Sequence, residues 1–223
     1  MINNNFQRRL LPVFLPLLLL TLNSCLGISA DIQMRRDGSA RVTLEYRFSR
    51  TAETVGRLDG NERWQIIPTG RADWERTASR VDGMRLASFS GREEKQDIVN
   101  KVTLEFKDTN ALLKFLDPAG KRASITSENG SNILRITLNE KPSQRINADL
   151  LDLMKQVSQG YSVRLSFAAQ GSSTMAVTDG DGKAVIPPPR TQVVSSGKKV
   201  SLLIDTGEIL SGENGLGVII SWK

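Results

Sequence analysis

Asp179 and Asp181, in Asp179-Gly180-Asp181-Gly182, stand at the spacing that opens a calcium loop. The third oxygen ligand and the distal bidentate glutamate of such a loop are missing. A hairpin turn between strands at Met175 to Val177 and Ala184 to Ile186 accounts for the same residues better. Gly182-Lys183 fails as a phosphate loop, because Val177 occupies the first glycine position and Ala184 the Ser/Thr position. Ser195-x-x-Lys198 has the spacing at which a lysine amine can activate a serine for acyl transfer, but Ser-Ser-Gly-Lys is turn composition and the companion motifs are absent. Glu93-Glu94 and Asp149 with Asp152 are the densest acidic pairs. Glycoside hydrolysis needs two carboxylates facing each other across a cleft, and closeness in sequence supplies none. The chain contains no histidine, which removes the Ser-His-Asp and Cys-His arrangements and imidazole metal sites. No cofactor or metal is expected, and an enzyme here would have to work through carboxylates or lysine.

The remaining reactive group is Cys25, the sole thiol. Arg8 and Arg9 precede an apolar run from Leu10 to Leu20, and a polar stretch leads to Ser24. That order is the grammar of an export signal. The run is shorter than the roughly 20 residues of a spanning helix, and Pro12 and Pro16 would break its hydrogen bonds in hydrocarbon. Leu22-Asn23-Ser24-Cys25 resembles the lipobox of bacterial lipoproteins. The resemblance implies cleavage between Ser24 and Cys25, diacylglycerol on the Cys25 sulfur and, often, acylation such as palmitate on the new amine. An ordinary secretory signal with an incidental cysteine is the competing reading. Several acyl chains matter for residence, since each buried methylene contributes about 0.8 kcal/mol and one chain anchors only marginally. The expected location is extracytoplasmic, lipid-anchored on the cell membrane or the outer membrane.

Loss of residues 1–24 lowers the formal charge from +6 to +4. Charges of both signs are interspersed, without the basic run of a nucleic-acid groove, so no nucleic-acid partner is expected. Arg35, Arg36, Arg41 and Arg47 are the densest basic group and the candidate contact with anionic lipid headgroups, each such residue contributing about 1 kcal/mol near a membrane surface. From Cys25 onward there are 199 residues, enough for one sizeable domain. Its only thiol is committed to lipid, so stability must come from a packed core.

Positioning falls to an α+β pattern of antiparallel hairpins alternating with short helices, followed by a β-rich carboxy-terminal part. Asp37-Gly38 predicts a tight turn between strands at 32–36 and 40–48, and Ala40, Val42, Leu44, Tyr46 and Phe48 alternate with Arg41, Thr43, Glu45 and Arg47. Helices are predicted at 51–58, at 71–81 around Trp74 and Ala78, after Asp108 or Thr109, and from Asn147 through Val157. Strands are predicted at 84–89, 98–107, 123–127 and 133–138. Val42-Thr43-Leu44-Glu45-Tyr46-Arg47 parallels Val102-Thr103-Leu104-Glu105-Phe106-Lys107, through convergence or an internal duplication. Beyond Tyr161 only strand signals remain, interrupted by Pro187-Pro188-Pro189. The expected organisation is a signal peptide at 1–24, a lipidated start and short linker at 25–29, and one envelope domain at 30–223 with 161–223 as a β-rich sub-lobe. Trp64 and Trp222 are expected to plug the core or its rim; an apolar pocket results if the helix at 147–158 leaves space.

The Asp37-Gly38 turn, Val81-Asp82-Gly83 before a strand, Phe106-Lys107-Asp108 before a leucine-rich helix, and Ser196-Gly197-Lys198-Lys199-Val200 leading into a late strand together resemble the LppM-like lipoprotein domain. The resemblance spans about residues 30–223 and implies a mixed α+β envelope domain with lipid contact and no catalytic residues. The sequence thus points to a non-catalytic, lipid-anchored binding or structural module that engages a lipid, a glycan or an envelope protein. A carboxylate-based envelope hydrolase or transferase is the alternative. Cys25→Ser is expected to abolish incorporation of labelled palmitate and to release the protein from the membrane fraction. Labelling that survives the substitution would contradict the lipid assignment.

Overall fold

Asp37 and Gly38 form the predicted turn: Gly38 has φ +82, and the Asp37 carboxylate accepts from the backbone N–H and hydroxyl of Ser39 at 2.9 and 2.7 Å. The computed structural model describes residues 27–49, 68, 70–94, 97–141, 149, 152 and 160–223. The turn joins β1 (Gly27–Met34) to β2 (Ala40–Ser49), which pair antiparallel from Gly27↔Arg47 to Met34↔Ala40. After α1 (Arg71–Ser79), a second hairpin forms from β3 (Met84–Glu93) and β4 (Asp97–Phe106). Asp108 caps α2 (Thr109–Leu116) by accepting from the N–H of Ala111 at 2.8 Å. Asn129-Gly130 turns β5 (Ala123–Glu128) into β6 (Ser131–Asn139). The remaining elements are β7 (Ser162–Ala168), β8 (Ser173–Thr178), β9 (Thr191–Ser196), β10 (Lys199–Asp205), α3 (Thr206–Leu210) and β11 (Leu216–Trp222).

Two sheets result. The larger has seven strands in the order β3-β4-β2-β1-β7-β10-β9, and the smaller has four in the order β5-β6-β11-β8. Neighbouring strands are antiparallel except β1 and β7, paired parallel from Ile28↔Val163 to Gln33↔Ala168. The strands of 161–223 are divided between the sheets, β7 adding to β1 and β11 inserting between β6 and β8. Val42-to-Arg47 and Val102-to-Lys107 lie on adjacent strands, with Val42 opposite Leu104 and Leu44 opposite Val102.

The expected α+β alternation gives way to a predominantly β structure. The described helices are short, while hairpins from distant parts of the chain join edge to edge. The predicted helices at 51–58 and 147–158 lie outside the described residues, apart from exposed, helical Asp149 and Asp152. In the carboxy-terminal part, read as strands alone, α3 is an unpredicted single turn. It is capped by the Asp205 carboxylate, which accepts from Gly207 N–H at 2.8 Å. A five-residue helix containing a glycine is too short to show a hydrophobic period.

Alternation fixes which side of the large sheet is covered. Ile32, Met34, Val42, Val102, Leu104, Phe106, Leu165, Phe167, Val200, Leu202 and Ile204 point inward and are buried. Beneath β3-β4-β2 lie α1 and α2, whose Trp74 and Phe115 form a chain of tilted rings with Tyr46 and Phe106 at centroid distances of 6.3, 6.3 and 5.4 Å. Beneath the other half lies the small sheet, where Trp222 packs on Phe167 at 4.9 Å.

A small polar cluster sits inside this layer. Trp74 Nε1 donates to the Tyr46 hydroxyl at 2.9 Å, and that hydroxyl donates to the Pro68 carbonyl. Burial pushes the Tyr46 phenol up, against the opposing effect of hydrogen bonds with Trp74 and Asn100. Asn100 is buried opposite Gly91, and a Cβ at Gly91 would come within 2.7 Å of its side-chain oxygen. The glycine therefore makes room for the amide. Trp74→Phe removes the indole donor and some ring volume, and is expected to cost about 1–3 kcal/mol of stability in urea unfolding. A midpoint equal to that of the parent would contradict this role.

Candidate functional site

The outward side chains of the large sheet form polar rows set by strand register. Gln33, Arg41, Glu105 and Arg85 make one row; Asp31, Thr43, Thr103 and Ser88 make the next. Arg41 donates to Glu105 at 2.7 Å, Arg85 pairs with the same carboxylate, and Arg35 approaches to 3.9 Å. The hydrogen bond from Arg41 outweighs desolvation and, with the charges of Arg85 and Arg35, holds the Glu105 carboxyl below its ordinary range. Asp31 accepts from Lys199 at 2.8 Å and Gln33 at 3.0 Å. Arg47 bridges Asp97 and Glu94 at 3.3 and 3.1 Å.

The four arginines singled out from sequence are therefore separated. Arg35, Arg36 and Arg41 lie at the β1–β2 turn end, whereas Arg47 is six residues along β2, roughly 20 Å away. The acidic candidates do not converge. Glu94 serves Arg47 and Arg92, exposed Glu93 ends β3, and Asp149 and Asp152 are exposed on their helical segment. Asp179 spends one carboxylate oxygen on the N–H groups of Asp181 and Lys183, at 3.0 and 2.9 Å, as the closing turn of β8. Ser195 and Lys198 flank the β9–β10 turn. Cys25 and Ser24 lie outside the described residues.

The described residues line two open depressions. One, of about 290 Å³, is open on the outer sheet face and lined by Ser29, Asp31, Thr43, Glu45 and Lys101. The other, of about 270 Å³, is a cleft at the turn end between the sheets. Met34 and Trp222 give it apolar surface; Thr109, Asn132 and Gln170 supply hydrogen-bonding groups; Arg35 and Arg36 supply positive charge. Neither is an enclosed apolar chamber. Arg36 is exposed, and among the described residues it pairs with no carboxylate. The turn that carries both arginines is fixed by Asp37, whose pKa lies below the ordinary value chiefly through the Ser39 hydroxyl.

The shifted carboxylates share a direction. Asp82 is lowered chiefly by the hydrogen bond from Lys107 at 2.6 Å. Asp117 is pushed up by desolvation but lowered overall by backbone N–H groups, including those of Arg122 and Ala123, that seat it before β5. A general acid at neutral pH requires the opposite direction. Among the described residues no group of His, Cys, Asp or Glu could hold a metal ion, and no helix is long and apolar enough to cross a membrane.

The lowered pKa of Glu105 has a stability consequence. Its contribution is present above the ordinary value of 4.5 and lost as pH falls through the folded value. Glu105→Gln is expected to lower the urea midpoint at pH 7, and the two midpoints should converge in acid. An equal gap at both pH values would contradict the charge pairing.

No protein-family profile and no curated protein matches the chain. Among solved structures, the fold is similar to the NMR structure of the folded domain of the Mycobacterium tuberculosis LppM protein, at 12% identity and a TM-score of 0.43, covering 89% of each chain. That is a weak resemblance to the group suggested by the turn residues.

Proposed function

We propose that this chain is a lipid-tethered, non-catalytic binding module of the bacterial cell envelope, and that the cleft beside the β1–β2 turn takes an anionic, hydroxyl-bearing ligand. The observation that carries the reading is the cleft's composition: exposed Arg36 on a hydrogen-bonded turn beside Arg35, whose guanidinium also faces Glu105, together with Lys223, three neutral polar side chains, and Trp222 in the lining. Guanidinium groups suit phosphate and carboxylate oxygens because their donors form a rigid fork. The amides of Asn132 and Gln170 and the hydroxyl of Thr109 suit sugar hydroxyls. A phosphodiester- or uronate-bearing envelope polymer combines both features.

The downward shifts of Asp37, Asp82, Glu105 and Asp117 favour binding over carboxylate catalysis. The carboxylates lining the depression on the open face are Asp31 and Glu45, and Asp31 is already engaged by Lys199 and Gln33.

The test is calorimetric titration of residues 26–223 with glycerol phosphate and with oligogalacturonate. Binding that weakens about tenfold in Arg36→Ala and further in the Arg35→Ala/Arg36→Ala pair, and falls with added salt, is expected. Equal affinity in parent and double variant would refute the cleft as the site.

A further inference from the structure

We infer that the end of the large sheet at which β1 begins rests on the membrane through an apolar patch formed by Ile186, Val185 and Leu210. This rests on the lipid tether proposed above. Cys25 lies two residues before Gly27, so the extended chain allows roughly 7 Å between the lipidated residue and the first strand. Whatever surrounds Gly27 is held against the headgroups.

Strand register says what surrounds it. Ile28 lies beside Val163, Val163 beside Ile204, and Ile204 beside Thr191, so the start of β1 and the start of β9 share one end of the sheet, about 14 Å apart. β10 runs directly into α3 at this end, and Thr191 is reached through the Pro187-Pro188-Pro189 segment. The small sheet is aligned with it. Asn139 donates to the Ile209 carbonyl at 2.8 Å, which places the ends of β6 and β8 and the start of β11 next to α3. Ala184 pairs with Thr178 at that same end, and Val185, whose N–H donates to the Val177 carbonyl at 3.0 Å, and Ile186 lie one and two residues back along the outer edge of β8.

The described residues expose four large apolar side chains: Ile186 at 93%, Val194 at 55%, Val185 at 40% and Leu210 at 37%. Leu210 and Val185 lie at or within one residue of this end and Ile186 within two, whereas Val194 lies three residues into β9. Soluble surfaces tolerate scattered apolar residues, but a nearly fully exposed isoleucine before three prolines, beside a second apolar tip, is a local concentration. Charges nearby are mixed. Arg190 approaches Asp205 at 3.9 Å, and exposed Asp181 and Lys183 both lie in the turn after β8, so charges of both signs are present and the contact is taken to be hydrophobic and indifferent to anionic lipid. Arg35 and Arg36 sit at the opposite end, roughly 25 Å away along β1, which leaves the cleft open to the aqueous side.

The experiment uses lipidated protein in vesicles of phosphatidylethanolamine and phosphatidylglycerol and, separately, of phosphatidylcholine. Since the sole native thiol would carry lipid, Ile186→Cys, Leu210→Cys and, as the remote control, Glu128→Cys each provide one site for a nitroxide. Oxygen collision rates at 186 and 210 several-fold above those at 128, in both vesicle types, are the expected result. Water-like values at 186 and 210 in protein that mass spectrometry shows to be lipidated would overturn the docking while sparing the tether. Depth seen only with phosphatidylglycerol would overturn its apolar character. Absence of lipid on Cys25 would remove both.

Discussion

The parallel pairing of β1 with β7 is the constraint on which the rest of the molecule depends. Without it the large sheet would divide into a four-stranded part, β3-β4-β2-β1, and a three-stranded part, β7-β10-β9, each with an exposed inner edge. Closing so long a loop costs conformational entropy before any contact compensates. What repays it is the continuous buried face that the joined strands create, with Ile32, Leu165, Phe167, Leu202 and Val200 packed over the small sheet and Val42, Leu104 and Phe106 packed over the helices.

The same register gives the molecule two unlike ends. Because β1 begins beside β7 and ends in the Asp37-Gly38 turn, the proposed site of attachment and the arginine-rimmed cleft occupy opposite ends of one strand. Rigidity matters here, since β1 is a central strand hydrogen-bonded on both sides. Under the proposed tether, a ligand at the cleft would sit at a fixed height above the membrane surface. The polar outer face, with Glu105 gathering Arg41, Arg85 and Arg35, neutralises most of the basic residues near the turn, while Arg36 pairs with no carboxylate among the described residues.

Local signals were legible where a single residue type dictates the backbone. Asp37-Gly38, the helix start at Asp108 or Thr109 and the alternation of β2 all read correctly, because turns, caps and one-sided burial are short-range effects. Sheet order was not legible. Nothing in Leu216–Trp222 marks it as lying between β6 and β8, since pairing partners are chosen by packing over the whole chain. The weight of strand was underestimated because the hairpins and the late strands join into two extended sheets, which no local signal shows, and α3 was missed because one turn carries no period. In the candidate site, Arg35 and Arg36 were visible as charges. That Arg41 and Arg47 are occupied by Glu105 and Asp97 depends on the β2–β4 register and could not be read from β2 alone. Trp222, read as a plug for core or rim, does both, packing on Phe167 and lining the cleft.

The claim at the centre of this account is polarity: tether at one end of β1, ligand cleft at the other. Neutron reflectometry of the lipidated protein on a supported bilayer measures it directly. The account predicts a protein layer continuous with the headgroups, as tall as the strands are long, with bound deuterated oligogalacturonate as a separate layer at its outer edge. A water gap beneath the protein, or ligand density at the bilayer surface, would contradict it.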